Sequence, residues 1–223
     1  MKCDAHVAFE EGFDLKLLDT IEYNWTVVPR LYNLHVFDWV CKACGKRTYQ
    51  GRKPEKCECG HTELERAMVW KPRLTRRSDF MRFDSDLHFQ YWKEYERRPE
   101  SKGSICDVMG NLGACFMMDR ERYFDIGGLD EKHGSWGQMG TEISCKTWLS
   151  GGRQVVNKNT WYAHMFRTQG GDFGFPYPIS DKQVNNARAY SKKLWLENTW
   201  DKAVRPLQWL IDKFYPVPGW ENK

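Results

Sequence analysis

Two small groups of residues carry metal chemistry. Four of the eight cysteines fall in one window, Cys41-Lys-Ala-Cys44 and Cys57-Glu-Cys59, with twelve residues between the pairs. A tetrahedral zinc ion takes four thiolates from two tight turns, and the glycines after the pairs, Gly45 and Gly60, let the backbone curl beneath a metal. The stretch from Lys46 to Lys56 is too polar to build a core, so metal binding is expected to supply its folding energy. Two disulfides or four free thiols are the alternatives. The other cysteines (Cys3, Cys106, Cys115, Cys145) are scattered, which points to a reducing compartment and favours zinc. The second pair is C-x-C rather than C-x-x-C, which makes His61 an alternative fourth ligand. Four cysteines leave no open position for water, so this zinc is structural. The second group is Asp4-x-His6. On a strand end these side chains share a face, forming a two-ligand claw for a divalent ion such as Mn²⁺ or Mg²⁺. An ordinary polar strand end is the alternative.

The elements that position these groups read as α/β. A strand is expected over Lys2–Phe9, a helix over Asp14–Asn24 with Asp14 as N-cap, and a strand over Thr26–Val28 closed by Pro29. A strand resumes over Ala67–Trp70, and 71–104 reads as a long loop with one helical turn at most. Gly113–Met118 is an apolar strand, and Asp119 caps a helix that stops at Gly127-Gly128. The loop 130–140 leads to a helix over Glu142–Leu149. Gln154–Val156 and Thr160–His164 form two strands or one bent strand. Amphipathic stretches at 181–199 and 201–214 precede a rigid Pro216–Trp220 turn.

Composition bounds the function. The chain has 223 residues and a net charge of +4, from 34 basic against 30 acidic side chains, too mild to imply nucleic acid by itself. A mean hydropathy of −0.73 with 15% aromatics suits a globular protein and argues against disorder. No apolar run approaches the roughly 18 residues of a membrane span, and no charged-then-apolar leader opens the chain. A cytoplasmic setting is therefore expected. The aromatics fill cores, but they also line grooves for sugars and bases.

The second half of the chain carries an ordered series: Gly113-Ala-Cys-Phe-Met-Met-Asp-Arg, Phe-Asp-Ile-Gly-Gly-Leu-Asp-Glu131, Trp136-Gly137, Glu142-Ile-Ser, Trp148, Gly151-Gly152 and Ala163-His164-Met-Phe-Arg167. With Asp4-x-His6, this resembles the family-2-like glycosyltransferases of GT-A fold. In motif it is most similar to the polypeptide N-acetylgalactosaminyltransferases. The resemblance spans about residues 2–29 and 105–167. It implies an incomplete GT-A-like (Rossmann-like) sheet, made of 1–37 and 67–180; the zinc-ribbon-like insert expected at 38–66 and the C-terminal helical extension at 181–223 are not part of the family core. It implies that Asp4, His6 and His164 hold Mn²⁺ against the diphosphate of a nucleotide-sugar donor, UDP-linked, for transfer to an unidentified acceptor. Trp136 and Gly137 would face the sugar, Gly113 would line the substrate side, and Trp148, Trp161 and Tyr162 would surround it. Glu142 matches the second acid of the family's W-G-x-E-x-x-E segment.

Each residue also has a plainer reading. Glu142 at a helix start favours the macrodipole without catalysis, and His164 beside Tyr162 and Phe166 suits a core histidine. Met139 stands where the family has its first acid, leaving Glu142, Asp130 and Glu131 as the candidate catalytic carboxylates. In the family a long nucleotide-binding segment precedes D-x-H. Here three residues do, so the chain is expected to be the later half of a split or truncated enzyme, or to take its nucleotide side from a second chain. Two other classes compete. One is a non-catalytic zinc-ribbon module binding nucleic acid or glycan through Arg73, Arg76, Arg77, Arg97 and Arg98 with Phe80, Phe83, Tyr91 and Trp92. The other is a zinc hydrolase using Asp4, His6 and His164 with water.

Overall fold

The computed structural model describes residues 1–134, 136–166 and 179–220. In chain order the elements are β1 (Lys2–Cys3), β2 (Val7–Phe9), α1 (Phe13–Leu18), β3 (Trp25–Cys41), β4 (Arg47–Tyr49), β5 (Leu64–Ser78), β6 (Met81–Phe83), β7 (Phe89–Tyr91), β8 (Ile105–Asp107), β9 (Cys115–Met118), α2 (Arg120–Asp125), α3 (Met139–Leu149), β10 (Arg153–His164), α4 (Asp181–Trp195) and α5 (Leu207–Lys213). One eight-stranded sheet runs β1-β9-β3-β10-β2, with β8 beside β10 and with β4 and β5 beside the far half of β3. The expected α/β class and C-terminal helices are present.

The spine is β3, seventeen residues long and rich in the β-branched and aromatic types that suit a pleated surface. Its first half is parallel to β10, and its second half forms a long antiparallel arm with β5. Pro29 does not end the strand. It sits opposite Asn157, where β10 breaks register and resumes at Trp161 beside Arg30. A residue without an N–H is tolerated at such a break. The two segments of β10 are thus one bent strand, and the Asn157 amide at the bend donates to Lys16 O and Thr20 Oγ1, pinning α1 to the sheet.

Further departures concern α1 and the stretch after residue 70. Gly12, at φ 69°, is the N-cap of α1, and Asp14 lies in its first turn. The stretch expected as a loop from residue 71 instead continues β5 to Ser78, followed by the β6–β7 hairpin and short 3₁₀ turns at 93–97 and 99–101. Exposed on both sides for much of its length, β5 carries no apolar alternation and is held by its ladder to β3. As expected, Asp119 caps α2, its carboxylate accepting from the amides of Glu121 and Arg122.

Much of the aromatic excess lies between the sheet and the helices. Trp92, Trp148, Trp195, Phe214 and Trp220 form one buried cluster, with the Trp148 indole N–H bound to Val108 O and that of Trp220 to Phe83 O. The N-terminus of α3 is pressed against the 111–113 turn. A Cβ on Gly140 would lie 1.9 Å from the Asn111 carbonyl oxygen and 2.8 Å from the Leu112 carbonyl carbon. Both neighbours are backbone and cannot swing aside. Gly140→Ala is therefore expected to cost at least about 2–3 kcal/mol, read as a drop in the urea midpoint, whereas Gly137→Ala should escape this clash because no atom lies within 4 Å of its added Cβ.

Candidate metal centres and the acidic network

The two halves of the first site come from opposite ends of the chain. Asp4 and His6 sit in the turn between β1 and β2, not on one strand, so their convergence comes from the turn rather than from strand alternation. The turn is clamped on both sides: Asp4 N–H donates to Ala114 O, and Met165 N–H donates to His6 O. His164 ends β10, paired to Val7 of β2 on one flank and Asn33 of β3 on the other. Ligand atoms of Asp4, His6 and His164 all lie within 4.8 Å of one another. His164 Nε2 is 3.2 Å from Asp4 Oδ2, and the two imidazole centroids are 4.7 Å apart. This oxygen–nitrogen–nitrogen set suits a divalent ion of the Mn²⁺ type.

Lys2 completes this site, and sequence reasoning passed over it. Its ammonium donates to Asp4 Oδ1 at 2.5 Å and to Gly113 O at 2.7 Å, so one lysine ties the turn to the glycine that supports α3. The signal was available, since Lys2 stands two positions before Asp4. Partial burial works against ionisation of Asp4, but the His164 and Lys2 hydrogen bonds outweigh it and hold its pKa down to about 2. Asp4 is thus an anion ready for a cation at neutral pH.

The second site crowns the arm. Ligand atoms of Cys41, Cys44, Cys57 and Cys59 lie within 4.8 Å of one another, with Sγ–Sγ separations of 3.6 Å for Cys41–Cys59 and for Cys44–Cys57. Zinc–sulfur bonds of about 2.3 Å at tetrahedral angles require sulfurs about 3.8 Å apart, so the quartet fits zinc. The Cys44 and Ala43 amides, with neighbouring thiols, lower the Cys41 thiol to about 6. His61 offers backbone rather than imidazole: its carbonyl accepts from Cys57 N–H and its amide points at the Cys59 sulfur. The arm below is fastened by Gln50, whose Oε1 accepts from Val36 N–H and whose amide donates to Leu34 O, at an irregularity in the β3–β5 ladder. By contrast, burial pushes the Cys115 thiol up to about 12 and the Cys145 thiol well above its usual range, which leaves both inert.

The acids expected near the sugar have other occupations. Glu142 is buried in the first turn of α3. Its Oε1 accepts from Lys146 Nζ and from Asp130 N–H, both at 2.7 Å, and its Oε2 lies 3.2 Å from His133 Nδ1. Lys146 also donates to Gly128 O. Asp130 accepts from Lys132 N–H and from the Tyr190 hydroxyl, which fastens α4 to the loop. Despite partial burial, these hydrogen bonds lower the Asp130 pKa; burial and the bond to Asp130 push Tyr190 up to about 12. The geometry thus gives Glu142 and Asp130 a structural task, while Glu131 is exposed. Trp148 and Tyr162 are buried in the core and form no sugar wall. Trp136 is half exposed, and Gly137 beside it adopts φ 97°. Gly113, at φ 81°, packs against the Gly140 backbone. Arg167 lies outside the described residues.

With this geometry in view, the resemblance extends to known proteins. No family model matches the chain. The chain is 25% identical over 122 residues to polypeptide N-acetylgalactosaminyltransferase 3 of Drosophila melanogaster, a match covering 52% of this chain and 18% of that protein. It is 32% identical over 106 residues to probable N-acetylgalactosaminyltransferase 9 of Caenorhabditis elegans, covering 46% and 17%. Among solved structures, GalNAc-T7 with UDP, GalNAc and Mn²⁺ superposes with a TM-score of 0.55 at 19% identity, over 88% of this chain and 32% of that one. The fold is GT-A. The chain spans less than a fifth of the length of those two relatives.

Two outcomes check these assignments. Glu142→Gln leaves Lys146 without its buried counter-charge and is expected to cost about 3–5 kcal/mol in urea denaturation; wild-type stability would return Glu142 to the list of catalytic candidates. Elemental analysis after reducing purification is expected to find one zinc per chain, lost in Cys44→Ser with the helical circular dichroism retained. Zinc near zero in the parent protein would refute the site.

Proposed function

We propose that this chain is the metal- and acceptor-side part of a nucleotide-sugar glycosyltransferase, acting with a UDP-type donor in a reducing, cytoplasmic setting. The observation that supports this most is the meeting of Asp4, His6 and His164, separated by up to 160 positions, in one cluster of ligand atoms on a GT-A sheet. Those three residues would hold Mn²⁺ or Mg²⁺. A divalent ion there supplies charge neutralisation for a departing diphosphate.

The chain's own residues prepare that site. Lys2 holds one oxygen of Asp4, leaving Oδ2 turned towards His164. Trp136 offers an indole face of the kind sugars pack against. Met139 brings no carboxylate, and the Glu142 carboxylate is engaged with Lys146 and His133, so neither acid position of the family's segment acts on substrate in this reading. The nucleotide side comes from a further segment or a second chain, and the zinc ion stabilises the arm without taking part in transfer. No helix among the described residues is long and apolar enough to cross a membrane.

The test is Mn²⁺-dependent release of UDP from UDP-sugars by the protein with its nucleotide-binding partner supplied. His6→Ala and His164→Ala should each lower turnover by at least about 100-fold, beyond the 10–100-fold typical of groups one step removed from a metal. Failure to bind UDP with that partner present would sink the reading.

A further inference from the structure

Charge is segregated onto the arm. Residues 42–78 hold eleven lysines and arginines against four glutamates, a net +7, whereas the whole chain carries +4; the rest of the molecule is therefore net negative. With Asp38 of β3 the arm is +6, and four thiolates and a zinc ion would bring it to +4 and the entire chain to +2. Along β5 the basic residues are Arg66, Lys71, Arg73, Arg76 and Arg77, and Met68, Trp70 and Leu74 stand exposed among them. Trp70 adopts φ 50° where β5 breaks register against β3, and the residue is 44% exposed. The Arg73 guanidinium lies 4.3 Å above the ring of Tyr49, itself exposed on β4.

Protection of a sheet edge accounts for charge, since edge strands carry lysine to discourage pairing. It does not account for an exposed indole beside arginines. Four of the five basic residues on β5 are arginine, whose planar fork matches phosphate oxygens two at a time. Basic strands with exposed aromatics are the surfaces on which single-stranded nucleic acids lie, phosphates on the cations and bases on the rings. The other basic–aromatic cluster is spent on packing: Phe80, Phe83 and Trp92 are buried, and Arg98 stacks on Trp92 and donates to Phe214 O.

Register ties the arm to the metal centre. His164 pairs with Asn33, and Asn33 pairs with Arg73, so Arg73 is two strand spacings, about 10 Å, from His164 along one row of the sheet. We propose that the arm is a docking surface for single-stranded nucleic acid, with phosphates on Lys71, Arg73 and Arg76 of β5, bases against Trp70, and the strand leading towards Asp4, His6 and His164. Docking stands by itself; that the bound strand is or carries the sugar acceptor rests on the transferase reading.

Fluorescence anisotropy of the zinc-loaded full chain tests this, with labelled oligothymidylate, an abasic oligomer of equal phosphate count and poly-glutamate as probes. Oligothymidylate should bind at low salt with log K falling by about 0.7 per contacted phosphate for each unit of log salt. It should bind about 10-fold more tightly than the abasic oligomer, a margin that one stacked base supplies, and Trp70→Ala should erase that margin. Lys71→Glu with Arg76→Glu, both at exposed positions, should weaken binding at least about 10-fold and flatten the salt slope with zinc content unchanged. Asp4→Ala and His164→Ala should bind as the parent does, so loss of transfer and loss of docking are separable. No binding at low salt overturns the proposal, and so does equal binding of the abasic oligomer or of poly-glutamate, which would make the arm a generic anion or acidic-protein surface.

Discussion

The whole molecule depends on one strand keeping two ladders at once. For its first half β3 runs parallel to β10 and for its second half antiparallel to β5, so one strand has a paired neighbour from core to arm tip. The parallel register sets His164 opposite Asn33. The short β9 ladder sets Met118 opposite Thr26 and carries β1 on its other edge, and β1 delivers Asp4. Both sides of the ligand cluster are thus referenced to the same strand. A slip of one residue would turn every side chain to the opposite face and would take Val27, Val28, Leu31 and Leu34, which alternate between the two faces of β3, out of the four separate buried clusters in which they pack.

The arm and the core solve different stability problems with the same strand. Towards the core, β3 is covered by apolar side chains and by helices. Beyond residue 34 the cover thins. Arg66 lies 5.1 Å above the rings of Phe37 and Trp39, and Lys53 lies 5.8 Å above Trp39, aliphatic stems shielding indole and phenyl surface while the charges reach water. Gln50 and the cysteine quartet then close the end. The arm's apolar burial is one small cluster of Val36, Phe37, Trp39, Cys41, Cys57 and Leu64, and polar fastening and the candidate zinc thiolates add to it towards the tip.

Local chemistry was legible in the sequence, and long-range geometry was not. Asp4-x-His6 and the Asp119 cap could be read because each is complete within a few residues, and the cysteine quartet because it falls within nineteen. Pro29 misled because proline excludes only a hydrogen-bonded position, and the bend in β10 opposite it cannot be seen from either segment alone. Residues 71–78 looked like loop because a strand exposed on both sides has no reason to alternate. Glu142 is the instructive case. Lys146 stands at its i,i+4 position, but the burial that makes the pair structural comes from His133 and the 130 loop, which only the tertiary fold brings in.

The two candidate metal centres differ in a way that bears on the order of events during synthesis. The four cysteines span nineteen positions, so closing that loop costs little chain entropy, and the site can load as soon as the arm has emerged. Asp4 and His164 are 160 positions apart; their contact has high contact order and waits for β10. An ion bound there is a ligand of the finished fold alone. It stabilises that state by mass action in proportion to its free concentration, which makes its occupancy a report that the chain has closed.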